Sequence, residues 1–272
     1  MPLSRRIGVV AQAVRHRSFG GPPAAFLANL LAPPCRTLAK HRIASIQDGA
    51  DGVRLTLRGL DGELWFPPGL PLHELYQVIA EQGYRWAWHR YEAAGTEVGA
   101  SDVVFDCGAA EGLFAFLVCR RAAQVVCFEP LPEFQTTLKR TFSGMARVEV
   151  IPAALSDRTG TAYLRRDGFM STLTDAPTAD SVAVDTIDGF CARTGIVPTY
   201  LKADVEGHEL ELLQGARETI RQHRPKIAIT TYHRRGDYQA LTTLLRALRT
   251  DYRFTPSGFD AVSGEPVLLH AR

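Results

Sequence analysis

The ten residues "VVFDCGAAEG", Val103 to Gly112, decide how the rest of the chain is read. Val103 to Cys107 form a short apolar run of strand length. It breaks at Gly108 into small residues, with Asp106 on one side and Glu111 on the other, and a helical run over 113–121 follows. A buried strand that turns through glycine into a helix is the opening unit of an open α/β sheet. The pattern then repeats. "QVVCF", "RVEVIP", "YLKADV" and "KIAITTY" are further strand candidates, separated by helical runs over 132–142, 186–194, 209–222 and 238–249. "YRFTPSGFD" and "EPVLLHA" look like a closing antiparallel pair, and "GTAYLRR" with "SVAVD" interrupts the alternation as an extra strand pair. The expected fold is α/β: a doubly wound, mostly parallel sheet.

Upstream the texture differs. Residues 1–47 read as two short helical pieces divided by Gly20-Gly21-Pro22-Pro23. "VRLTLRGLDGELWF" alternates around Leu60-Asp61-Gly62, a hairpin pattern. "PLHELYQVIAEQG" places Leu72, Leu75, Tyr76 and Ile79 at helical spacing, and "RWAWHRYEAAG" is expected as a second helix ending at Gly95. The organisation expected is an arm over 1–50, a hairpin-and-helix cover over 51–99, and the α/β domain over 100–272.

The chain has 272 residues, 46% hydrophobic and 22% charged, which is enough for one large α/β domain with a real core. The charge is unevenly spread. No Asp or Glu occurs from Met1 to Gln47, against seven Lys or Arg; the remainder carries 24 basic and 29 acidic residues. A basic arm on an acidic body points to contact with something anionic or with the body itself. The five cysteines show no metal or disulfide spacing, which favours a reducing, cytoplasmic setting. No apolar run is long enough to span a membrane. "AAFLANLLAPPC" is short, late and ends in prolines, so it reads as an amphipathic arm rather than a secretion signal.

Gly108 and Gly112 would let backbone approach a ligand closely. The next strand ends in "CFEP", which puts Glu129 where a carboxylate can accept both hydroxyls of a ribose. A nucleoside cofactor follows, either NAD or S-adenosylmethionine. The dinucleotide fingerprint is incomplete, with Ala110 and Leu113 at its second and third glycine positions, and Glu111 would repel a pyrophosphate at the helix N-terminus. S-adenosylmethionine carries no phosphate and has a positive sulfonium, which carboxylates favour. The bland alternative is a turn that merely needs glycine. Further on, "YLKADVEGHELELLQGA" gathers Asp204, Glu206, His208 and Glu209 at a strand end. The helix dipole accounts for Glu209 and in part Glu206, but less well for Asp204.

At these residues the sequence resembles the FkbM family of S-adenosylmethionine-dependent methyltransferases, from about Trp88 to the C-terminus. The motifs that carry the resemblance are "WHRYE", "VVFDCGAAEG", "VVCFEPLPE", "VEVIPAALSDRTG", "VAVDTIDGF", "LKADVEGHELELLQGA" and "PKIAITTYH". It implies a class I methyltransferase, Rossmann-like fold and methylation of a hydroxyl on a sugar, glycan or natural product. By that match Asp106, Gly108, Ala109 and Gly112 line the methionine side. Glu129 and Pro130 lie at the ribose, Ala154, Leu155, Ser156 and Asp157 near the adenine, and Asp204 and Glu206 border the cofactor. Where the family more often has Ile-Gly-Ala, this chain has Cys107-Gly108-Ala109. The first 50 residues fall outside the resemblance.

A hydroxyl acceptor must lose a proton, so a base within hydrogen-bond reach is useful. Asp204, His208 and His233 are the catalytic candidates, the histidines titrating near neutrality. Either histidine could instead be a surface or capping residue. Asp204, Glu206, His208 and His233 could alternatively gather a divalent cation that orients a diol, although the spacing does not indicate one. Ser171, Trp88, Tyr91 and Tyr232 are candidate substrate contacts, and aromatics at the first two positions serve equally well as core. A nucleic-acid methyltransferase is the rival enzyme, with the basic arm on phosphates; the acidic body and the absence of an "NPPY" motif speak against nucleic acid. A non-catalytic cofactor-binding or membrane-surface protein is the rival class. Nothing in the sequence sets the oligomeric state.

Overall fold

The computed structural model describes residues 3–16, 20–167, 170–261 and 263–272. The chain opens with α1 (Leu3–His16), α2 (Pro23–Leu31) and α3 (Cys35–Arg42). It continues through β1 (Ile43–Gly49), β2 (Gly52–Leu57), β3 (Leu64–Phe66) and α4 (Leu72–Gln82). The α/β part runs β4 (Val103–Cys107), α5 (Leu113–Val118), β5 (Gln124–Phe128), α6 (Pro132–Thr141), β6 (Val148–Ile151), β7 (Ala154–Leu155), β8 (Gly160–Asp167), β9 (Met170–Thr174), β10 (Ser181–Asp185) and α7 (Ile187–Thr194). It ends with β11 (Tyr200–Ala203), α8 (Glu209–Gln214), α9 (Arg217–His223), β12 (Lys226–Thr230), α10 (Asp237–Leu248), β13 (Phe254–Ser257) and β14 (Leu268–Ala271).

The main sheet has seven strands in the order β13-β14-β12-β11-β4-β5-β6. β12, β11, β4, β5 and β6 are parallel, and β14 runs antiparallel to both of its neighbours, as the closing pair implied. Strand order reverses direction between β4 and β11. Their carboxyl ends, Cys107 and Ala203, therefore open the crevice in which such sheets bind ligands. Alternate residues feed opposite cores. Val104, Val125 and Tyr200 face α5 and the N-terminal layer, while Phe105, Val126 and Leu201 face the helices α7 to α10. The small sheet β1-β2-β3 contributes Leu55, Leu57, Leu64 and Phe66 to the first of these cores.

Four local expectations are corrected. The arm holds three helices, because Pro33-Pro34 starts α3, and it runs directly into β1. Residues 85–95 form turns, with no helix. Their carbonyls bond outward: Asn29 Nδ2 donates to Trp86 O (2.6 Å), Ser257 Oγ to Trp88 O (2.9 Å) and the Tyr200 hydroxyl to Tyr91 O. The helix expected over 209–222 breaks at Gly215, whose carbonyl accepts from Asp188 N (2.9 Å). The Asp188 carboxylate in turn receives Glu218 N and Thr219 N and so caps α9 (2.9 and 2.8 Å). The extra strand pair is part of a four-stranded sheet, β7-β10-β8-β9. Among the described residues no helix is long and apolar enough to cross a membrane.

Candidate active site

Two glycines shape the first turn. Gly108 has φ 73°, and a Cβ there would lie 1.9 Å from the Asp204 carbonyl oxygen, so the β4 and β11 tips can meet only at glycine. Gly112 has φ 79°, and its missing side chain makes room for Leu138 and Phe142. It serves helix packing, whereas Gly108 also lines the cleft beside it.

That cleft is lined by Gly108, Ala110, Glu129, Pro130, Ala154, Leu155, Ser171, Asp204 and Glu206, with Phe128, Leu131, Phe134 and Leu164 as apolar wall. Eight expected site residues thus come together on one surface. Glu129 is 4% exposed; its Oε2 accepts Ala110 N (2.7 Å) and its Oε1 accepts Leu131 N (2.9 Å). Those bonds aim the carboxylate and leave each oxygen a further lone pair. Burial outweighs the two backbone bonds and pushes its pKa up to about 7. Burial does the same to Glu111, also up to about 7. Ser171 Oγ is buried without a hydrogen-bond partner among the described residues, although it lines the cleft. Ala109 is buried beneath the turn. Ser156 is buried with its hydroxyl on Asp157 (3.1 Å), and neither residue lines the cleft.

Beneath the cleft floor lies a buried charge cluster. Asp106 is fully buried opposite Lys202, its register partner in β11, with Nζ 3.0 Å from Oδ1. Lys202 also donates to Gly108 O and sits 5.0 Å from the Tyr91 ring centre. Neither Asp106 oxygen has a well-directed hydrogen bond. Burial raises the Asp106 pKa against the pull of Lys202. Lys202 is held above its usual range, because Asp106 and Asp204 outweigh its own burial. Asp106 therefore acts from behind the turn and does not line the cleft.

Asp204 is the hub. The Tyr91 hydroxyl donates to Oδ2 (2.5 Å) and Thr230 Oγ1 lies 3.3 Å from Oδ1. His89 Nε2 is 3.7 Å from Oδ2 and His233 Nε2 is 3.6 Å from Oδ1. Each imidazole is held from behind by a glutamate: His89 Nδ1 by Glu81 (3.2 Å) and His233 Nδ1 by Glu209 (2.8 Å). Two carboxylate–histidine pairs therefore flank one aspartate. Burial alone would raise the Asp204 pKa; Lys202, His89, His233 and the Tyr91 hydrogen bond together lower it. At His233, burial is outweighed by Glu209, Asp204 and Glu206, and the pKa rises to about 9. The His89 pKa is also raised, Glu81 and Asp204 prevailing over burial. His208 does not join this group. It precedes α8, its charged neighbours are led by Glu211 and Arg234, and burial lowers its pKa.

Asp204, Glu206 and His233 can each bring one donor atom within 4.8 Å of the others. Glu209 holds His233 Nδ1 (2.8 Å), which leaves Nε2, 3.4 Å from Glu206 and 3.6 Å from Asp204, as the imidazole donor of that group.

A second cleft opens on the far side of His89, under the N-terminal arm. Trp86, Trp88, His89, Tyr232 and Phe259 form its aromatic part, and Arg5, Asn29 and Glu81 its polar part. Tyr232 packs against His233 (4.5 Å between ring centres) and edge-on to His89 (5.6 Å). Trp88 is both core and wall: it is buried against Phe26, yet its Nε1 has no partner among the described residues and its ring lines this cleft. Tyr91 is fully buried and reaches the site only through its hydroxyl on Asp204. The sequence reading missed His89, Glu81 and Lys202. A lone lysine inside the apolar run "YLKA" was the available sign for the last.

The profile of the Methyltransferase FkbM domain matches residues 106–254, over half of the chain. The chain belongs to the FkbM methyltransferase family. It is 30% identical over 165 residues to the hexuronic acid methyltransferase AglP of Haloferax volcanii, an overlap that spans 58% of this chain and 67% of that one. Its fold is that of the crystal structure of methyltransferase FkbM from Methylobacillus flagellatus KT: TM-score 0.53, 21% identity, 92% of this chain covered. The chain spans 60% of that structure's length. FkbM membership makes S-adenosylmethionine the expected methyl donor. The first cleft suits it, with a bare glycine edge, an aimed carboxylate at Glu129, an unpartnered hydroxyl at Ser171 and an apolar far wall.

Proposed function

We propose that the protein is an S-adenosylmethionine-dependent O-methyltransferase that methylates a hydroxyl of a sugar or glycan. The observation that carries this reading is that two clefts of different chemistry flank the Asp204–His89 pair: Asp204 lines the glycine-edged cleft, and His89, 3.7 Å from it, lines the aromatic cleft with Tyr232. Aromatic walls with a few polar groups suit the faces of a sugar ring. The likeness to a hexuronic acid methyltransferase supports the same acceptor class.

Glu129 would hold the donor's ribose, Gly108 and Asp204 its methionine end, and Ala154, Leu155 and Phe134 its adenine. Bound there, the donor supplies a methyl group already activated by the sulfonium. The chain's task is to position the acceptor and exclude water. His89 lines the acceptor cleft with Nδ1 held by Glu81, and its Nε2, which faces the Tyr91 hydroxyl (3.4 Å) and Asp204 (3.7 Å), would take the hydroxyl proton. His233 lines neither cleft and at neutral pH is cationic, so it steadies Asp204, Glu206 and Glu209. The five cysteines are all unpaired, in keeping with work in a reducing cytoplasm. The test is release of S-adenosylhomocysteine from S-adenosylmethionine with 4-nitrophenyl β-D-glucuronide and β-D-glucoside as acceptors. Methyl transfer to a ring hydroxyl supports the reading. Donor binding without transfer to either glycoside would overturn the sugar assignment.

A further inference from the structure

Among the described residues seven large hydrophobic side chains are exposed, and five of them sit on the first two helices: Ile7 (62%), Val10 (42%), Val14 (73%), Leu27 (54%) and Leu31 (69%). Ile7, Val10 and Val14 follow i, i+3, i+7 spacing and form one stripe along α1; Leu27 and Leu31 are i, i+4 on α2. These are not core residues that missed their contact. The inward faces of the same helices already bury Val9, Ala13 and Phe26 against Trp88 and Phe259. α1 is thus apolar on two sides, one facing the body and one facing out. Within the arm the charge has one sign: no acidic residue occurs before Asp48, while Arg15, Arg36 and Lys40 are exposed.

We propose that this outer face of the arm docks on the surface of an anionic lipid bilayer. Apolar stripes lying beside cations, with no carboxylate to match a basic partner, are what such an interface accepts. Helices of 14 and 9 residues can lie in the headgroup region, and neither is long enough to cross. The inference stands apart from the proposed methyl transfer, since the apolar stripes and Arg15, Arg36 and Lys40 line neither cleft.

The test is co-sedimentation of the full-length protein with vesicles of 70% phosphatidylcholine and 30% phosphatidylglycerol, and with phosphatidylcholine alone. Two variants accompany it, Ile7→Asp/Val14→Asp/Leu31→Asp and Arg15→Glu/Arg36→Glu/Lys40→Glu. Melting temperature and S-adenosylhomocysteine binding report that each variant is folded. The expected result is binding to the anionic vesicles that weakens at least tenfold on the neutral vesicles, at high salt, and in either folded variant. Absence of wild-type binding to anionic vesicles would overturn the proposal. So would binding that the aspartate variant retains. Concentration-dependent self-association lost in the aspartate variant, without vesicle binding, would assign the face to a second copy of the chain instead.

Discussion

The clefts proposed for donor and acceptor, on either side of the Asp204–His89 pair, are built in different ways. The donor cleft is made at strand ends and in the turns just after them: Gly108 after β4, Glu129 after β5, Ala154 and Leu155 after β6, Asp204 after β11. Each residue stands where hydrogen-bonded register puts it, so the sheet fixes the cleft's shape. The acceptor cleft draws instead on α1, α2, α4, the irregular segment 85–95, Tyr232 and the loop near Phe259, with no ladder to align them. Side-chain bonds hold it, among them Asn29 on Trp86 O, Ser257 on Trp88 O and Thr96 on His270. A donor common to a whole family suits the rigid half, and an acceptor that differs between enzymes suits the half that loops can redraw.

The comparison breaks first at the hub. His89→Gln should lower methyl transfer by about 10³-fold with donor affinity unchanged, the scale of a lost general base. Equal losses in rate and donor binding would show that the two halves are not separable. The rate should also rise with pH through a value above the usual 6.5, because Glu81 and Asp204 raise the His89 pKa, and that limb should vanish in the variant.

A second expectation concerns the anchoring of the acceptor side. Burial lowers the pKa of His270 to about 4, and its ring is bonded to Thr96 (3.0 Å). The folded pKa lies below the unfolded value, so the unfolded chain binds the extra proton between those two values. Stability is then full above about pH 6.5 and falls towards pH 4, by up to about 3 kcal/mol. Urea unfolding at pH 7.5 and pH 4.5 checks this; a His270→Gln protein should show a shallower fall. Equal slopes would place the acid sensitivity elsewhere.

Smaller effects sharpen the division of labour. Trp86→Ala should raise the acceptor KM about tenfold while the donor dissociation constant stays within twofold, as expected for one lost stacking wall. Ser171→Ala should do the reverse on a smaller scale, weakening the donor about threefold, since one neutral hydrogen bond is worth about 1 kcal/mol. Steady-state kinetics with calorimetry separates the two.

The same division governs what could be read from sequence. The β4 turn, the Glu129 tip and the Asp204 tip are contiguous motifs at strand ends, and Gly108, Glu129 and Asp204 line one cleft. His89 was not legible. It stands in a segment whose local pattern reads as helix, and its role depends on Glu81 eight residues before it and Asp204 far after it. His208 looked equivalent to His233 by position, but only His233 follows a strand tip whose direction carries its ring to Asp204. Gly112 reads from sequence as room for ligand, whereas it yields to Leu138; Gly108 lines the cleft and also yields to the Asp204 carbonyl. Periodicity ran unbroken through Gly215 because the break comes from Asp188 of another helix.

The most direct test of two clefts with separate tasks is calorimetric titration of S-adenosylhomocysteine into the wild-type protein, Glu129→Ala and His89→Gln. Glu129→Ala should weaken binding about 10- to 100-fold, the loss of hydrogen bonds to a charged group, and His89→Gln should bind as the wild type does. Unchanged binding in Glu129→Ala, or a comparable loss in His89→Gln, would contradict the assignment of donor and acceptor to opposite sides of the Asp204–His89 pair.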